Sequence, residues 1–339
     1  MKKKLLAGGA VALVTAGLGF VPVGGGLAVS TPRGSNEEGP MALDEYSADA
    51  PGEELRLLFV HHSVGGQLLA DEGDDVGENS IYTSYPRGGG LRALLQSNGY
   101  QVGEASYGSR LGAHTDIFDW LPKFRDHMDD VLRVARQDDT LPGEERNDIV
   151  VFKSCFPNSK FVARGEGRGD PTGPELSLVN AQATMNALLP YFAAHPDALF
   201  VYVTAPPLAP RVGSDPAWKW LAKKVLGRSW GPAELARSGE IARDFNAWLE
   251  ADDGWLADHT ADNVAVFNYW HALTGDGESN LLHYYVGRGY DSHPAGEGQR
   301  RAAPRLVETL NRAVRRARLI TPDVPPVTDA DPEVSDEVD

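Results

Sequence analysis

Short apolar runs recur through the middle of the chain, and helical patterns separate them. Several runs are apolar on both faces, as are strands of a parallel sheet that is covered by helices on each side. The five runs are LRLLFV (55–60), YQVGEASY (100–107), DIVVFKS (148–154), ALFVYVTAP (198–206) and NVAVFNY (263–269). The helical patterns occupy residues 91–99, 180–195, 234–251 and 305–319. This alternation predicts a three-layer α/β/α domain built on a parallel sheet of about five strands.

The two ends of the chain differ from this alternating region. Residues 1–30 begin with three lysines, continue with a small apolar segment and end in Ala-Val-Ser, the layout of a bacterial secretory signal peptide. Residues 31–53 are polar, with scattered Pro, Gly and Ser, and predict a linker. Residues 321–339 contain seven acidic residues and no Lys or Arg, which predicts a disordered acidic tail. The predicted domain therefore covers residues 54–320, and we expect an exported protein, periplasmic or extracellular, with no stable membrane insertion after cleavage.

Charge and cysteine content exclude several kinds of partner and site. The 339 residues carry a formal net charge of −16, which disfavours nucleic acid and anionic membranes as partners. Cys155 is the only cysteine, so the chain has no internal disulfide and no Cys-based zinc site. We expect Cys155 to be a small buried residue.

The loops at the carboxyl ends of parallel strands are where a site is expected. The first apolar run ends in His61, His62 and Ser63, followed shortly by Gly65 and Gly66. A serine on a tight strand-to-helix turn presents its hydroxyl beside the sheet edge, and glycines allow close approach of a substrate or of neighbouring backbone. The alternative is that Ser63 only caps the helix and the glycines only make the turn.

Two further polar residues follow later strands. Asn158 comes after the third run and could donate its side-chain amide to an oxyanion, or could be a turn residue beside Pro157. His293 stands in a late DSHP sequence just before the last helix. An imidazole that a carboxylate such as Asp291 orients is the base that activates a serine hydroxyl.

Ser63 after the first strand, a glycine after the second, Asn158 after the third and the late DSHP together resemble the SGNH (GDSL-type) hydrolase superfamily. They resemble in particular a bacterial branch of this superfamily with HHS in place of GDS. The resemblance spans about residues 55–317. It implies a flavodoxin-like fold and hydrolysis of an ester through a covalent acyl-serine, with no metal or organic cofactor.

Carried over by position, the resemblance implies that Ser63 is the nucleophile and His293 the general base. The oxyanion hole would consist of the Ser63 amide, the Asn158 side chain and the amide of Gly108, with Gly112 as the rival glycine. His61 and His62 replace the Gly-Asp of the family motif, and we expect them to line the pocket or to hold the loop.

The acid of the triad departs from the family pattern, which puts two residues between Asp and His. Asp291 and His293 have one residue between them, and Tyr290 occupies the expected position. Asp291 could still orient His293 if the loop bends differently, or a backbone carbonyl could orient the ring. We expect Asp291 to be the acid, since triads are defined by geometry rather than by spacing.

The predicted function is thus a serine esterase acting on a small-molecule or polysaccharide ester. The resemblance suggests O-acetyl groups on carbohydrate as one candidate substrate. Trp218, Trp220 and Trp230 could stack on sugars, or could equally pack within a lid. Acyl transfer to a sugar hydroxyl and carbohydrate binding without catalysis are the alternatives.

A metal site is disfavoured, because adjacent histidines on an extended chain point in opposite directions. The residues that such a site would use are His61, His62, Asp291 and His293.

Overall fold

The computed structural model describes residues 43–212 and 231–320. The strands in this part of the chain are β1 (Leu55–Val60), β2 (Asp71–Glu72), β3 (Val76–Glu78), β4 (Ile81–Tyr85), β5 (Tyr100–Ala105), β6 (Val134–Arg136), β7 (Asp139–Thr140), β8 (Ile149–Lys153), β9 (Leu199–Val203) and β10 (Val264–Phe267). The helices are α1 (Ser63–Leu69), α2 (Leu91–Ser97), α3 (Ile117–Arg133), α4 (Leu178–Ala193), α5 (Pro232–Glu250), α6 (Tyr269–Leu273) and α7 (Gly296–Arg316). A short 3-10 helix, Phe156–Ser159, follows β8.

The main sheet has seven strands in the order β10-β9-β8-β1-β5-β6-β7. Every neighbouring pair is parallel except β6 and β7. The five apolar runs of the sequence supply β1, β5, β8, β9 and β10, so the predicted α/β fold with a parallel sheet is confirmed.

Helices cover both faces of this sheet. Leu58 and Val60 of β1 belong to a core that contains buried residues of α3, α4 and α5. Leu57 and Phe59, which point the other way, belong to a second core with residues of α1, α2 and α7. Successive strand residues face opposite sides, so a strand buried on both faces must be apolar throughout.

The order of the five long strands indicates where on the sheet a site is expected. Taken along the chain, the first strand lies between the second and the third, which is the flavodoxin-like order with a switch point between β1 and β8. Crossover connections leave the sheet in opposite directions at a switch point, and a crevice opens at the carboxyl ends of the two strands. The segments that follow β1 and β8 carry Ser63 and Asn158, respectively.

Several short elements lie outside the five predicted strands. β6 and β7 extend one edge of the main sheet, and β2, β4 and β3 form a separate small sheet. These strands have two to five residues, too few for a clear periodic pattern.

Part of the predicted linker lies against the last helix. Asn311 of α7 donates its side-chain amide to the carbonyl of Ala48 at 2.7 Å, and Arg315 Nη1 donates to the carbonyl of Asp49 at 2.7 Å. Arg312 Nη1 contacts the carbonyl of Leu43 at 3.2 Å. Backbone carbonyls make these contacts, so the polar composition of the segment does not prevent it from being held.

The predicted signal peptide (1–30), the first part of the linker (31–42) and the acidic tail (321–339) lie outside the described residues, as do Trp218, Trp220 and Trp230. Within 43–212 and 231–320, no helix combines the length and the apolar character needed to cross a membrane.

Candidate active site

The turn that carries Ser63 is built by close backbone packing. β1 ends at Val60 and α1 begins at Ser63, leaving only two residues between them. A Cβ on Gly65 would lie 2.4 Å from His61 Cβ, and a Cβ on Gly66 would lie 1.8 Å from the carbonyl oxygen of Ser80. Both positions therefore require glycine.

The Ser63 hydroxyl does not cap α1. His62 occupies the N-cap position of the helix, and Ser63 Oγ instead lies 3.0 Å from Nε2 of His293. The interpretation of Ser63 as only an N-cap is therefore wrong.

His293 is held on its other side by Asp291. The ring nitrogen Nδ1 lies 2.7 Å from Asp291 Oδ1, and the backbone N–H of His293 donates to the same oxygen at 3.1 Å. One carboxylate oxygen thus accepts from both the ring and the backbone of a residue two positions later, which is how the one-residue spacing allows contact. Nδ1 carries the hydrogen in this arrangement, which leaves the Nε2 lone pair facing the serine hydroxyl.

Asp291 is kept ionised by its neighbours. Partial burial would raise the pKa of this carboxyl, but the hydrogen bonds and charge of His293, with the charge of Arg87, outweigh burial and lower it. An ionised Asp291 can therefore orient His293 and stabilise the imidazolium that forms when the ring takes a proton.

The loop that carries Asp291 and His293 is held by contacts with the segment after β9 and with the turn after β8. The hydroxyl of Ser292, which is buried, accepts a hydrogen bond from the backbone N–H of Ala209 at 3.0 Å. The ring of Phe156 meets that of His293 edge-on, with centroids 5.2 Å apart. These contacts limit the motion of the imidazole relative to Ser63.

Asn158 is buried on the 3-10 turn after β8, and its side chain is fully engaged. Its Oδ1 accepts from the backbone N–H of Ile117 at 2.8 Å. Its Nδ2 donates to Asp116 Oδ1 at 2.7 Å and to the carbonyl of Cys155 at 3.3 Å. Both amide hydrogens therefore have acceptors, and the amide also holds the start of α3 in place.

Cys155 is buried, as expected, and lies on the same turn as Asn158. Its Sγ is 3.9 Å from Ser63 Oγ, so the turn after β8 packs directly against the serine. A cavity of about 600 Å³ opens at this turn, lined among others by Asp116, Phe118 and Asn158.

The two candidate glycines differ in what their amides do. Gly108 has a φ of +85°, a left-handed conformation that favours glycine, and its N–H has no protein acceptor in the described ranges. The N–H of Gly112 donates to Ser109 Oγ at 3.0 Å, and its carbonyl accepts from Nε2 of His62 at 2.7 Å. Of these two glycines, only Gly108 has an amide without an acceptor among residues 43–212 and 231–320.

His61 and His62 point to different surroundings. His61 is fully buried, with its Nδ1 2.9 Å from the carbonyl of His62 and its Nε2 3.0 Å from Glu104 Oε2. His62 stacks on the ring of Tyr107 at a centroid distance of 3.8 Å. Burial lowers the pKa of His62 to about 4, so this ring is neutral at neutral pH.

No set of three or more His, Cys, Asp or Glu side chains within 43–212 and 231–320 is arranged to hold a metal ion. In that part of the chain, His61 and His62 are engaged by Glu104 and by the carbonyl of Gly112, respectively.

Sequence reasoning missed Glu104 and Asp116, which contact the predicted residues His61 and Asn158. A charged residue near the end of an apolar strand, as in YQVGEA, is the signal that could have marked Glu104. Asp116 gave no such signal, because an aspartate before a helix is an ordinary capping residue.

No protein-family model matches the chain, and no curated protein matches it. Among solved structures, it has a partial similarity to a GDSL-like lipase from Bacteroides thetaiotaomicron VPI-5482, with 13% identity and a TM-score of 0.37. That match covers 77% of this chain and 88% of the lipase. A second solved structure is 16% identical, with a TM-score of 0.33, and the match covers 76% of this chain and 96% of that one. Similarities this weak assign neither family nor activity, and the site must be judged on its own geometry.

Proposed function

We propose that the protein is a serine esterase that hydrolyses a carboxylic ester through an acyl-serine intermediate. The observation that carries the proposal is the continuous hydrogen-bonded chain from Ser63 Oγ to His293 Nε2 at 3.0 Å and from His293 Nδ1 to Asp291 Oδ1 at 2.7 Å. A nucleophile bonded to a base that a carboxylate orients is the arrangement of acyl-transfer catalysis.

In the proposed reaction, the Ser63 hydroxyl attacks the ester carbonyl while His293 Nε2 takes its proton. The resulting imidazolium is stabilised by Asp291 and then protonates the leaving alcohol as the acyl-serine forms. Water next attacks the acyl-serine with His293 again as base, releasing the acid and regenerating the hydroxyl. No step requires a metal or an organic cofactor.

The oxyanion would be met by the Ser63 amide, the Gly108 amide and the Asn158 side chain. The Gly108 amide has no acceptor in the part of the chain that the structure describes, which supports its choice over Gly112, whose N–H donates to Ser109 Oγ. Asn158 must release one acceptor, the Asp116 carboxylate or the Cys155 carbonyl, to donate to the substrate. Such rearrangement fits the general observation that catalytic hydrogen bonds tighten only when substrate is bound.

Hydrolysis is favoured over acyl transfer because the site is open. The side chains of His293 and Asp291 are 24% and 51% exposed, so water has access to the base. Carbohydrate binding without catalysis is disfavoured as an alternative, because the hydrogen bonds from Ser63 to His293 and from His293 to Asp291 are both formed. O-Acetyl groups on carbohydrate are one ester that an exported enzyme of this kind would meet, and export through residues 1–30 stays a prediction.

The direct test is hydrolysis of p-nitrophenyl acetate and a panel of longer acyl esters by the purified protein. We expect Ser63→Ala and His293→Ala each to lower kcat by at least about 10³-fold, because the groups of a triad act as a unit. Both variants should keep the unfolding temperature of the wild type within a few degrees.

Matched controls are Ser97→Ala at the exposed end of α2 and His271→Ala on the exposed face of α6, which should keep full activity. A wild type no more active than the Ser63 and His293 variants across the whole panel would overturn the proposal. Acylation of an added sugar without release of free acid would instead favour a transferase.

A further inference from the structure

The buried residue His61 has a polar partner at each ring nitrogen. Nδ1 faces the carbonyl oxygen of His62 at 2.9 Å, and Nε2 faces Glu104 Oε2 at 3.0 Å. The other oxygen of Glu104 is paired with the guanidinium of Arg92, on α2. A chain of charged and polar groups therefore leads from the surface of α2 to the turn that carries Ser63.

The hydrogen-bond partners of His61 determine which of its ring nitrogens carry a hydrogen. A carbonyl oxygen can only accept, so Nδ1 must carry a hydrogen. Burial would raise the pKa of Glu104, but the pKa is lowered on balance, and the Arg92 guanidinium on the other carboxylate oxygen keeps Glu104 a carboxylate whatever the charge of His61. A carboxylate also only accepts, so Nε2 must carry a hydrogen too, and His61 is an imidazolium.

The groups around His61 are consistent with this charge. Glu104 faces the ring from β5, with Arg92 on the other oxygen of its carboxylate. The neighbouring His62 is neutral, and the charge of His61 is one of the causes that lower its pKa. One histidine of the pair is therefore charged and buried, while the other is neutral and partly exposed.

The carbonyl that His61 contacts belongs to the peptide group joining His62 to Ser63. The N–H of that same peptide group is the Ser63 amide, the first donor of the proposed oxyanion hole. A peptide group is planar and trans, so fixing the direction of its C=O fixes the opposite direction of its N–H. A cationic donor on the carbonyl also polarises the group and strengthens the donor at its other end.

The sequence around this carbonyl is adapted to the arrangement. The backbone N–H groups of Gly65 and Gly66 donate to the same oxygen at 2.9 and 3.1 Å, so it accepts from three donors in all. Any side chain at Gly65 would collide with the His61 ring. The run HHSVGG thus combines a cation, the peptide group that it contacts and the glycine that makes room for it.

We propose that His61 is a positioning residue, an imidazolium held by Glu104, which orients and polarises the His62–Ser63 peptide group so that its N–H stabilises the oxyanion. The inference rests on the proposed esterase function, but the charge of His61 can be measured without it. It explains why a histidine stands two residues before the serine.

The test replaces Glu104 with glutamine, which has the same shape but no charge. The glutamine amide can donate to Nε2 of a neutral His61, so packing is kept while the positive charge is lost. We expect kcat for ester hydrolysis to fall about tenfold with KM nearly unchanged, since oxyanion donors act on the transition state. The matched control is Glu145→Gln, which removes the partner of Arg56 from an exposed ion pair at 2.8 Å and should leave kcat unchanged.

A second measurement is independent of activity. The ¹⁵N resonances of His61 should show an imidazolium at neutral pH in the wild type and a neutral ring in Glu104→Gln. If Glu104→Gln does not fold, Arg92→Met, at a partly exposed position, should lower kcat in the same direction by a smaller factor.

The outcomes separate this inference from the proposed function. A neutral His61 in the wild type overturns the inference whatever the activity. Equal kcat values for Glu104→Gln and Glu145→Gln, or a loss confined to KM, also overturn it while the esterase proposal stands. A wild type that hydrolyses no ester overturns the esterase proposal and with it the catalytic role of His61, whereas the resonances still decide its charge.

Discussion

At the scale of single residues, the candidate catalytic residues were easier to predict than the residues that contact them. Residue type and position singled out Ser63, Asp291 and His293, and the resemblance to SGNH hydrolases supplied their predicted roles; the structure brings the three into one hydrogen-bonded chain. Their catalytic roles stay a prediction. Asp116 and Glu104 could not be predicted as partners, because contacts at sequence separations of about 40 residues depend on how strands and helices pack.

Asp291→Asn tests the acid at this scale. The amide keeps the shape of the side chain, but it lacks the charge that stabilises the imidazolium and can favour the wrong ring tautomer. We expect kcat to fall about 10²- to 10⁴-fold with KM changed little. The steady-state kinetics of Asp291→Asn should be compared with those of a control variant, Asp258→Asn, which changes an exposed aspartate outside the site. Equal kcat values for the two variants would mean that another group orients His293.

At the scale of elements, the five long strands were predicted to within two or three residues, because burial on both faces leaves continuous apolar runs. Besides Glu104 in β5, an exception to an apolar strand is Lys153, the last residue of β8, which is 1% exposed. Its Nζ donates to the carbonyl of Ser154 at 3.1 Å and lies 5.2 Å from the centroid of the Tyr269 ring. Burial lowers the pKa of Lys153 to about 8. Composition did not reveal that this ammonium is enclosed.

Lys153→Met is therefore expected to stabilise the fold by about 2 kcal/mol at pH 7, after allowance for the lost contacts with Ser154 and Tyr269. Between the folded-state pKa of about 8 and the ordinary value of 10.5, the unfolded chain binds the proton more tightly, so wild-type stability rises with pH. The advantage of the variant should shrink over that range. Denaturant unfolding at several pH values measures the difference in free energy of unfolding between the variant and the wild type, with Lys160→Met as the control. A difference that does not change with pH would contradict a buried ammonium at Lys153.

At the scale of the whole molecule, the limits of the folded region were hard to predict from composition. Residues 43–50 are polar and aperiodic, yet α7 binds their carbonyls. Asn311 is central to this contact, since it also accepts from the Tyr100 hydroxyl at 2.8 Å and donates to Asn98 Oδ1 at 2.9 Å. Hydrogen bonds to a backbone carbonyl depend on position and leave little trace in residue type.

Asn311→Ala should lower the free energy of unfolding by about 3 kcal/mol, because it removes one buried and two partly buried hydrogen bonds and leaves the Tyr100 hydroxyl without this partner. Equilibrium denaturation provides the value, and Glu308→Ala on the exposed side of the same helix is the control. A loss no larger than that of the control would show that the hydrogen bonds of the Asn311 side chain contribute nothing to stability.

The central claim is that Ser63 carries the acyl group during turnover. Rapid quenching of the reaction with p-nitrophenyl acetate, followed by mass spectrometry of the peptides, measures this directly. The account predicts one acetyl group on the peptide that contains Ser63, formed in the wild type and absent from Ser63→Ala. Turnover with no acyl group on Ser63, or acylation that persists elsewhere in Ser63→Ala at the wild-type rate, would contradict it.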